Sequence, residues 1–341
     1  MAAWLPLLLL LACGQQAQKE TQNPDAKTIG HIERLSPEMD AIVAPGAAIE
    51  VLAEGYNWSE GPLWIADGGY LLFTDVPENT IFKWKEGAGA STYLKPSGFV
   101  GEKTESREPG ANGLALDAQG RLILCQHGNR QVARMAATLD NPKPVFETLA
   151  DKWDGKRFNS PNDLCLDRQG NIYFTDPPYG LPQQADDPSK EIPFQGVYRI
   201  QPDGTVQLLV DSLSRPNGIA LSPDEKTLYV ANSDPARALW MAYDLAGDGS
   251  LANGRVVYDA TPLVRCGMWG LPDGLMTNRY GILFATGPGG VWVFKPDGTP
   301  LGRIAPGEAT ANCALDSDGK YLYMTADMYL CRVKLGGESG D

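Results

Sequence analysis

Histidine is nearly absent: His31 and His127 are the only two among 341 residues. No Gly-x-Ser-x-Gly elbow accompanies them, which argues against a hydrolase built on a Ser-His-acid triad. Positive charge is also scarce. With 29 Lys and Arg against 42 Asp and Glu, the net charge is -13, which excludes nucleic acid and anionic lipid surfaces as partners, because both require a positive face. Neither a P-loop nor a dinucleotide fingerprint is present, and no long helical pattern is evident. The six cysteines show no Cys-x-x-Cys metal spacing. Beyond Cys13 the remaining five cannot all pair, so buried free thiols are expected, with a Cys313–Cys331 bridge between neighbouring strands as the alternative.

The one long apolar run, Ala2 to Ala12, is too short to span a bilayer and is followed by polar residues. It has the form of a signal peptide's hydrophobic region. Its end, "LLAC", resembles the lipobox of bacterial lipoproteins, in which the cysteine, here Cys13, is lipidated. The expectation is a periplasmic or outer-envelope lipoprotein that touches membrane only through that anchor. Residues 14–47 are polar without sustained period and read as a tether and approach segment. Residues 48–335 form the folded unit, and 336–341 a tail.

Within the folded unit one phrase recurs: a polar residue, usually a Gly, a short apolar strand, a turn with Asp or Gly, and a second strand rich in aromatic and branched residues. It stands as "EGPLWIADGGYLLFTDV" from Glu60, "NGLALDAQGRLILCQHG" from Asn112 and "NDLCLDRQGNIYFTDPP" from Asn162. It returns as "NGIALSPDEKTLYVANS" from Asn217, "DGLMTNRYGILFATGPG" from Asp273 and "NCALDSDGKYLYMTADM" from Asn312. The intervals are 52, 50, 55, 56 and 39 residues, room for about four short strands each. Six such units predict an all-β, six-bladed propeller of four-stranded antiparallel blades. The last unit shows three clear strands, and "AIEVLA" at 48–53 has no blade of its own. The N-terminal strand is therefore expected to complete the last blade and close the ring. Residues 180–196 of the third unit are rich in Pro and charge and read as an inserted loop, either a lid or a surface decoration.

The pair Asn217–Gly218 before an apolar run is by itself a hairpin signal and reads locally as a turn. The register changes that reading. In a propeller the first strand of each blade lines the central channel, so Glu60, Asn112, Asn162, Asn217, Asp273 and Asn312 are expected near one mouth. Carboxylates and amide oxygens facing one another are costly unless a cation lies between them. An all-oxygen set suits Ca²⁺, Mg²⁺ or Mn²⁺ better than a thiolate-seeking metal.

The motifs "SEGPLW" at Glu60, "RFNSPNDLCLDRQGNIYFTDPPYGL" from Arg157, "RPNGIALSPD" from Arg215 and "LPDGL" from Leu271 resemble the family of senescence-marker protein, gluconolactonase and luciferin-regenerating enzyme. The resemblance covers roughly residues 49–335. It implies one divalent metal, Ca²⁺ first with Mg²⁺, Mn²⁺ and Zn²⁺ as alternatives, held by Glu60, Asn162, Asn217 and Asp273. Asn159 and Asn162 both stand in "RFNSPND"; the repeat register favours Asn162. The implied activity is hydrolysis of a small-molecule sugar lactone, with Asp273 also the proton acceptor. Arg157, Asn159, His127 and Asn112 are the expected substrate contacts, Asn312 is a further channel residue, and no other cofactor is implied. Asp75 is expected to cap a turn and Asp176 to approach the site. Two other readings stay open: an arylesterase or organophosphate hydrolase on the same site, and a non-catalytic binding propeller with a structural metal.

Overall fold

The computed structural model describes residues 27–336; Cys13, the signal region and the tail beyond 336 lie outside them. Six antiparallel sheets follow one another at 59–94, 111–150, 164–210, 216–259, 275–305 and 310–334. They are the six blades, hereafter blades 1 to 6. The described residues include only two α-helices, Met39–Ile42 and Thr261–Arg265, and no helix is long and apolar enough to cross a bilayer.

Each blade's second strand is sandwiched between neighbouring blades, which explains its largely apolar and aromatic composition. Tyr70–Asp75, Leu122–Gln126, Ile172–Asp176 and Leu283–Gly287 are buried at every position. Outer strands such as Gly89–Leu94 are largely exposed. Aromatic side chains fill the spaces between blades. Phe174 stacks on Tyr198 at 5.3 Å, and Trp240 of blade 4 meets Phe294 of blade 5 edge-on at 5.4 Å. Full burial of each such ring contributes about 1.5–3 kcal/mol.

The ring closes as the sequence predicts. Ile49–Glu54 pairs antiparallel with Tyr329–Lys334, Val333 opposite Ile49 and Tyr329 opposite Glu54. Of the polar tether and approach segment expected over 14–47, residues 14–26 lie outside the described residues, and 27–47 are a correction, being built into the ring. Thr28–Ile29 adds a fifth strand to blade 6, and His31–Arg34 adds a fifth to blade 5. Met39 and Val43 are buried in a core shared by these two blades. Sparse apolar residues sufficed here because the strands cover edges, where one buried face is enough.

The cysteines at 125, 165, 266, 313 and 331 are all free. Cys313 and Cys331 both lie opposite Met324, on either side of the strand that carries it. The intervening strand excludes the bridge.

The Asn217–Gly218 pair is not a turn. Both residues lie inside the strand Pro216–Leu221. A Cβ on Gly218 would stand 2.2 Å from the Asp273 carbonyl oxygen of the next blade, and one on Gly61 2.0 Å from that of Asn112. These glycines let adjacent blades approach backbone to backbone at the channel. Hydroxyls on the second strands seal the same junctions: Thr74 Oγ1 donates to Asn112 O at 3.2 Å, Thr175 Oγ1 to Asn217 O at 2.6 Å and Ser233 Oγ to Pro272 O at 2.6 Å.

Candidate metal centre and substrate cavity

The leading residues are placed by a repeated device. At the end of its blade's second strand, Asp75 accepts from the backbone N–H groups of Asn57 and Trp58 at 3.0 and 3.3 Å. Asp176 accepts likewise from Asn159 and Ser160, both at 2.8 Å, and Asn232 Oδ1 from Arg215 at 2.8 Å. Each polar side chain thus holds the chain just before Glu60, Asn162 or Asn217. Asp176 is a cap like Asp75 and does not line the cavity, contrary to expectation. Directly after the capped turn the ladder slips: the register shifts between Glu60 and Leu63, and again between Pro216 and Ile219. Such bulges leave residues unpaired and re-aim side chains, here toward the channel.

Glu60, Asn112, Asn162, Asn217 and Asp273 line one cavity of about 510 Å³ at a channel mouth. Five of the six leading residues are therefore together. Asn312 is not among them. It lines a second cavity of about 270 Å³ deeper in the channel, where its Nδ2 donates to Asp163 Oδ2 at 3.4 Å. The reason is a one-residue slip. Asn112, Asn162, Asn217 and Asp273 each stand five residues before a polar turn residue, whereas Asn312 stands four before Asp316. Ala311 is the true counterpart of Asn112, and Asn312 falls in the layer of Asp163 and Gly218.

Three expected substrate contacts do not line the cavity. His127 is wholly buried behind Asn162. Asn159 is wholly buried, its Nδ2 donating to the carbonyls of Asp176 and Phe194 at 3.0 and 2.9 Å. Arg157 turns away, donating through Nη2 to Asn129 O at 3.2 Å. The cavity is lined in their place by loop residues: Trp58, Glu108, Tyr179, Arg215 and Trp269. The wall formed by 264–271 carries Trp269, 80% exposed. The 180–196 insertion does not line the cavity. It is anchored instead to blade 2, where Arg130 Nη1 donates to Ser189 O at 3.1 Å. Arg215 and Tyr179 lie within the motifs "RPNGIALSPD" and "RFNSPNDLCLDRQGNIYFTDPPYGL", whereas Trp58, Glu108 and Trp269 have no repeat register to mark them.

The donor set fits a cation. Asn162 Nδ2 faces His127 Nε2 at 3.3 Å, and Asn217 Nδ2 donates to Ser233 Oγ at 3.2 Å, so each amide commits an N–H group to a neighbouring side chain and keeps Oδ1 available as an acceptor. Asp273 Oδ1 and Asn112 Oδ1 are buried without a hydrogen-bond partner, a costly state for polar atoms. Three carboxylates, Glu60, Glu108 and Asp273, line the cavity against one guanidinium, Arg215. Burial, and then the nearby Asp163, pushes Glu60 up to about 8. Asp273 is raised well above the usual carboxylate range by burial first, then by Glu60. Without a cation these acids cannot all ionise; a bound divalent ion would neutralise the surplus of negative charge.

A family model described as the SMP-30/Gluconolactonase/LRE-like region matches residues 58–327. The chain is 41% identical over 328 residues to a gluconolactonase of Zymomonas mobilis, covering 93% of this chain and 90% of that protein. It is 29% identical over 281 residues to the lactonase drp35 of Staphylococcus aureus, covering 80% and 78%. Among solved structures, a gluconolactonase from Xanthomonas campestris superposes with a TM-score of 0.78 at 32% identity, covering 91% of this chain and 97% of that one. A register of channel-facing acids and amides, repeated blade by blade, thus joins a match along most of the chain: the protein belongs to the SMP-30/gluconolactonase/LRE-like family.

Proposed function

We propose that the protein is a metal-dependent lactone hydrolase, acting on a sugar lactone of the gluconolactone type. The observation that carries the metal site is the convergence of Glu60, Asn162, Asn217 and Asp273 on one cavity, with Asp273 Oδ1 buried and unpartnered. These four residues would hold one divalent ion, and the all-oxygen set favours Ca²⁺. Bound there, such an ion supplies a Lewis acid for the lactone carbonyl and acidifies a water.

The chain's own groups do the rest. Asp273, whose Oδ1 is buried and unpartnered, would receive the proton of the attacking water. Tyr179 is held protonated by burial and by the nearby Asp273, so its hydroxyl remains a donor, and Arg215 offers a permanent one; both can stabilise charge that develops on the carbonyl oxygen. Asn112 Oδ1, unpartnered and buried, is an acceptor for a substrate hydroxyl. Trp58 and Trp269 supply flat walls for a ring. The same apolar rim favours aryl esters as a second substrate class. Lipid anchoring at Cys13 on the periplasmic side belongs to the same proposal, tested by lipid-precursor labelling of wild type against Cys13→Ser.

The deciding experiment is turnover of glucono-δ-lactone and an aryl acetate by chelator-treated protein before and after Ca²⁺ is restored. Glu60→Ala and Asp273→Ala should abolish activity and cation binding together while the fold persists. Full activity after chelation, or in either variant, would refute the mechanism.

A further inference from the structure

Behind Asn162 lies a polar chain that the reaction itself does not require. His127 is wholly buried, its backbone N–H bonded to Gly110 O at 3.1 Å. Gly180, at the start of the insertion, packs so closely that a Cβ there would stand 2.7 Å from His127 Cβ and 2.8 Å from Ser160 Cβ. Gly180 thus packs against the base of the His127 side chain. The ring's Nε2 lies 3.3 Å from Asn162 Nδ2, and its Nδ1 lies 3.5 Å from Glu108 Oε2. Nδ1 makes no hydrogen bond, and the Glu108 carboxylate faces it at ion-pair distance. Glu108 stands on the loop between blades 1 and 2, one third exposed, and lines the cavity.

The donors and acceptors in this chain favour one arrangement. A carboxylate is acceptor-only, so Glu108 favours the proton on the ring nitrogen that faces it across 3.5 Å. Nε2 is then bare and can accept only from an N–H group. The amide of Asn162 must present Nδ2 to it, and its Oδ1 is left pointing away from His127. With the opposite tautomer two N–H donors would confront each other, and the amide would turn its oxygen to the ring, withdrawing it from the cavity. Asn217 is oriented by Ser233 in the same sense. We propose that Glu108 and His127 are positioning residues: through a Glu108–His127–Asn162 relay they hold Asn162 with its oxygen available to the cavity. The use of that oxygen as a metal ligand rests on the function proposed above; the relay itself does not.

Outer partners of this kind typically change metal affinity by about 10–100-fold when removed. The chain's two histidines make the test direct, because His31 is exposed on an edge strand and His31→Gln leaves His127 as the only imidazole. In ¹⁵N-labelled, metal-free His31→Gln protein, nitrogen shifts should show Nδ1 protonated and Nε2 bare. Adding Glu108→Ala should yield a mixture of tautomers, whereas Glu108→Gln, which keeps an acceptor, should restore the single form. Calorimetric titration with Ca²⁺ should show affinity at least tenfold weaker in Glu108→Ala and recovered in Glu108→Gln. An Nε2–H tautomer or a doubly protonated ring in the parent protein overturns the relay, as does a Glu108→Ala protein with unchanged tautomer. If wild type binds no Ca²⁺ at all, the metal reading fails, and the nitrogen shifts alone still decide the relay.

Discussion

Gly218→Ala adds one methyl group and removes no functional atom, yet it should impair both the ring and its site. The new Cβ would lie 2.2 Å from Asp273 O, 2.7 Å from Gly274 Cα and 2.9 Å from Asp273 C. Comfortable contact between such atoms begins near ~3.5 Å, so blades 4 and 5 must separate locally by about 1 Å. All three obstacles are backbone atoms, and no side chain can swing aside. Overpacking of this kind costs about 1–3 kcal/mol. At roughly 2–4 °C per kcal/mol for a large domain, the unfolding midpoint should fall by about 2–12 °C. The displaced junction is also the one that carries Asn217 and Asp273. A misplacement of about 1 Å at reacting groups can cost about 10²-fold in rate, so kcat/KM on a lactone should fall by that order and Ca²⁺ should bind more weakly. Gly247→Ala is the control, since nothing lies within 4 Å of its Cβ and its φ is not left-handed; it should stay within about 0.5 kcal/mol of wild type or be slightly stabilised. Calorimetry and steady-state kinetics on both variants decide the matter. A Gly218→Ala protein as stable and active as the control would show that the blades do not meet as closely as argued.

Asp176, buried and pushed up to about 7 by that burial, gives a pH signature. Its folded pKa lies above its unfolded value, so its contribution to stability is fully present below pH ~4 and is lost as pH rises toward 7, with a slope of up to about 1.4 kcal/mol per pH unit. Urea unfolding of Asp176→Asn across this range should show a flatter dependence than wild type; an unchanged slope would mean that Asp176 is ionised in the native ring. A chain beginning at residue 57 loses the closing strand Ile49–Glu54, both added edge strands and the buried Met39 and Val43. It should show no cooperative unfolding transition near that of wild type, and a truncated protein with the wild-type midpoint would refute ring closure at this seam.

The parts of the molecule that could be read from sequence are those that the ring repeats. Every blade needs a second strand buried on both faces, hence "LLFTD", "LILCQ" and "IYFTD", and five of the six carry a polar residue at the head of the leading strand, facing the channel. Repetition made Glu60, Asn162, Asn217 and Asp273 legible as a set even though each alone looks like turn chemistry. The same device failed by one residue at Asn312, where the bulge in blade 6 skips one position instead of two: Thr310 pairs with Ala326 and Asn312 with Thr325. The shorter spacing to Asp316 was visible, but only the hydrogen-bonded ladder gives it meaning. Glu108 and Trp269 were illegible for a different reason. They stand on connections that differ from blade to blade, and nothing in their local sequence says which mouth of the channel they overhang. His127 shows the limit most clearly. Its residue type suggested contact with substrate, but the buried position behind Asn162, sealed by Gly180, makes its influence indirect. The repeated scaffold brings the acids and amides together, while the unrepeated loops determine how those amides are oriented and which ring can lie against them.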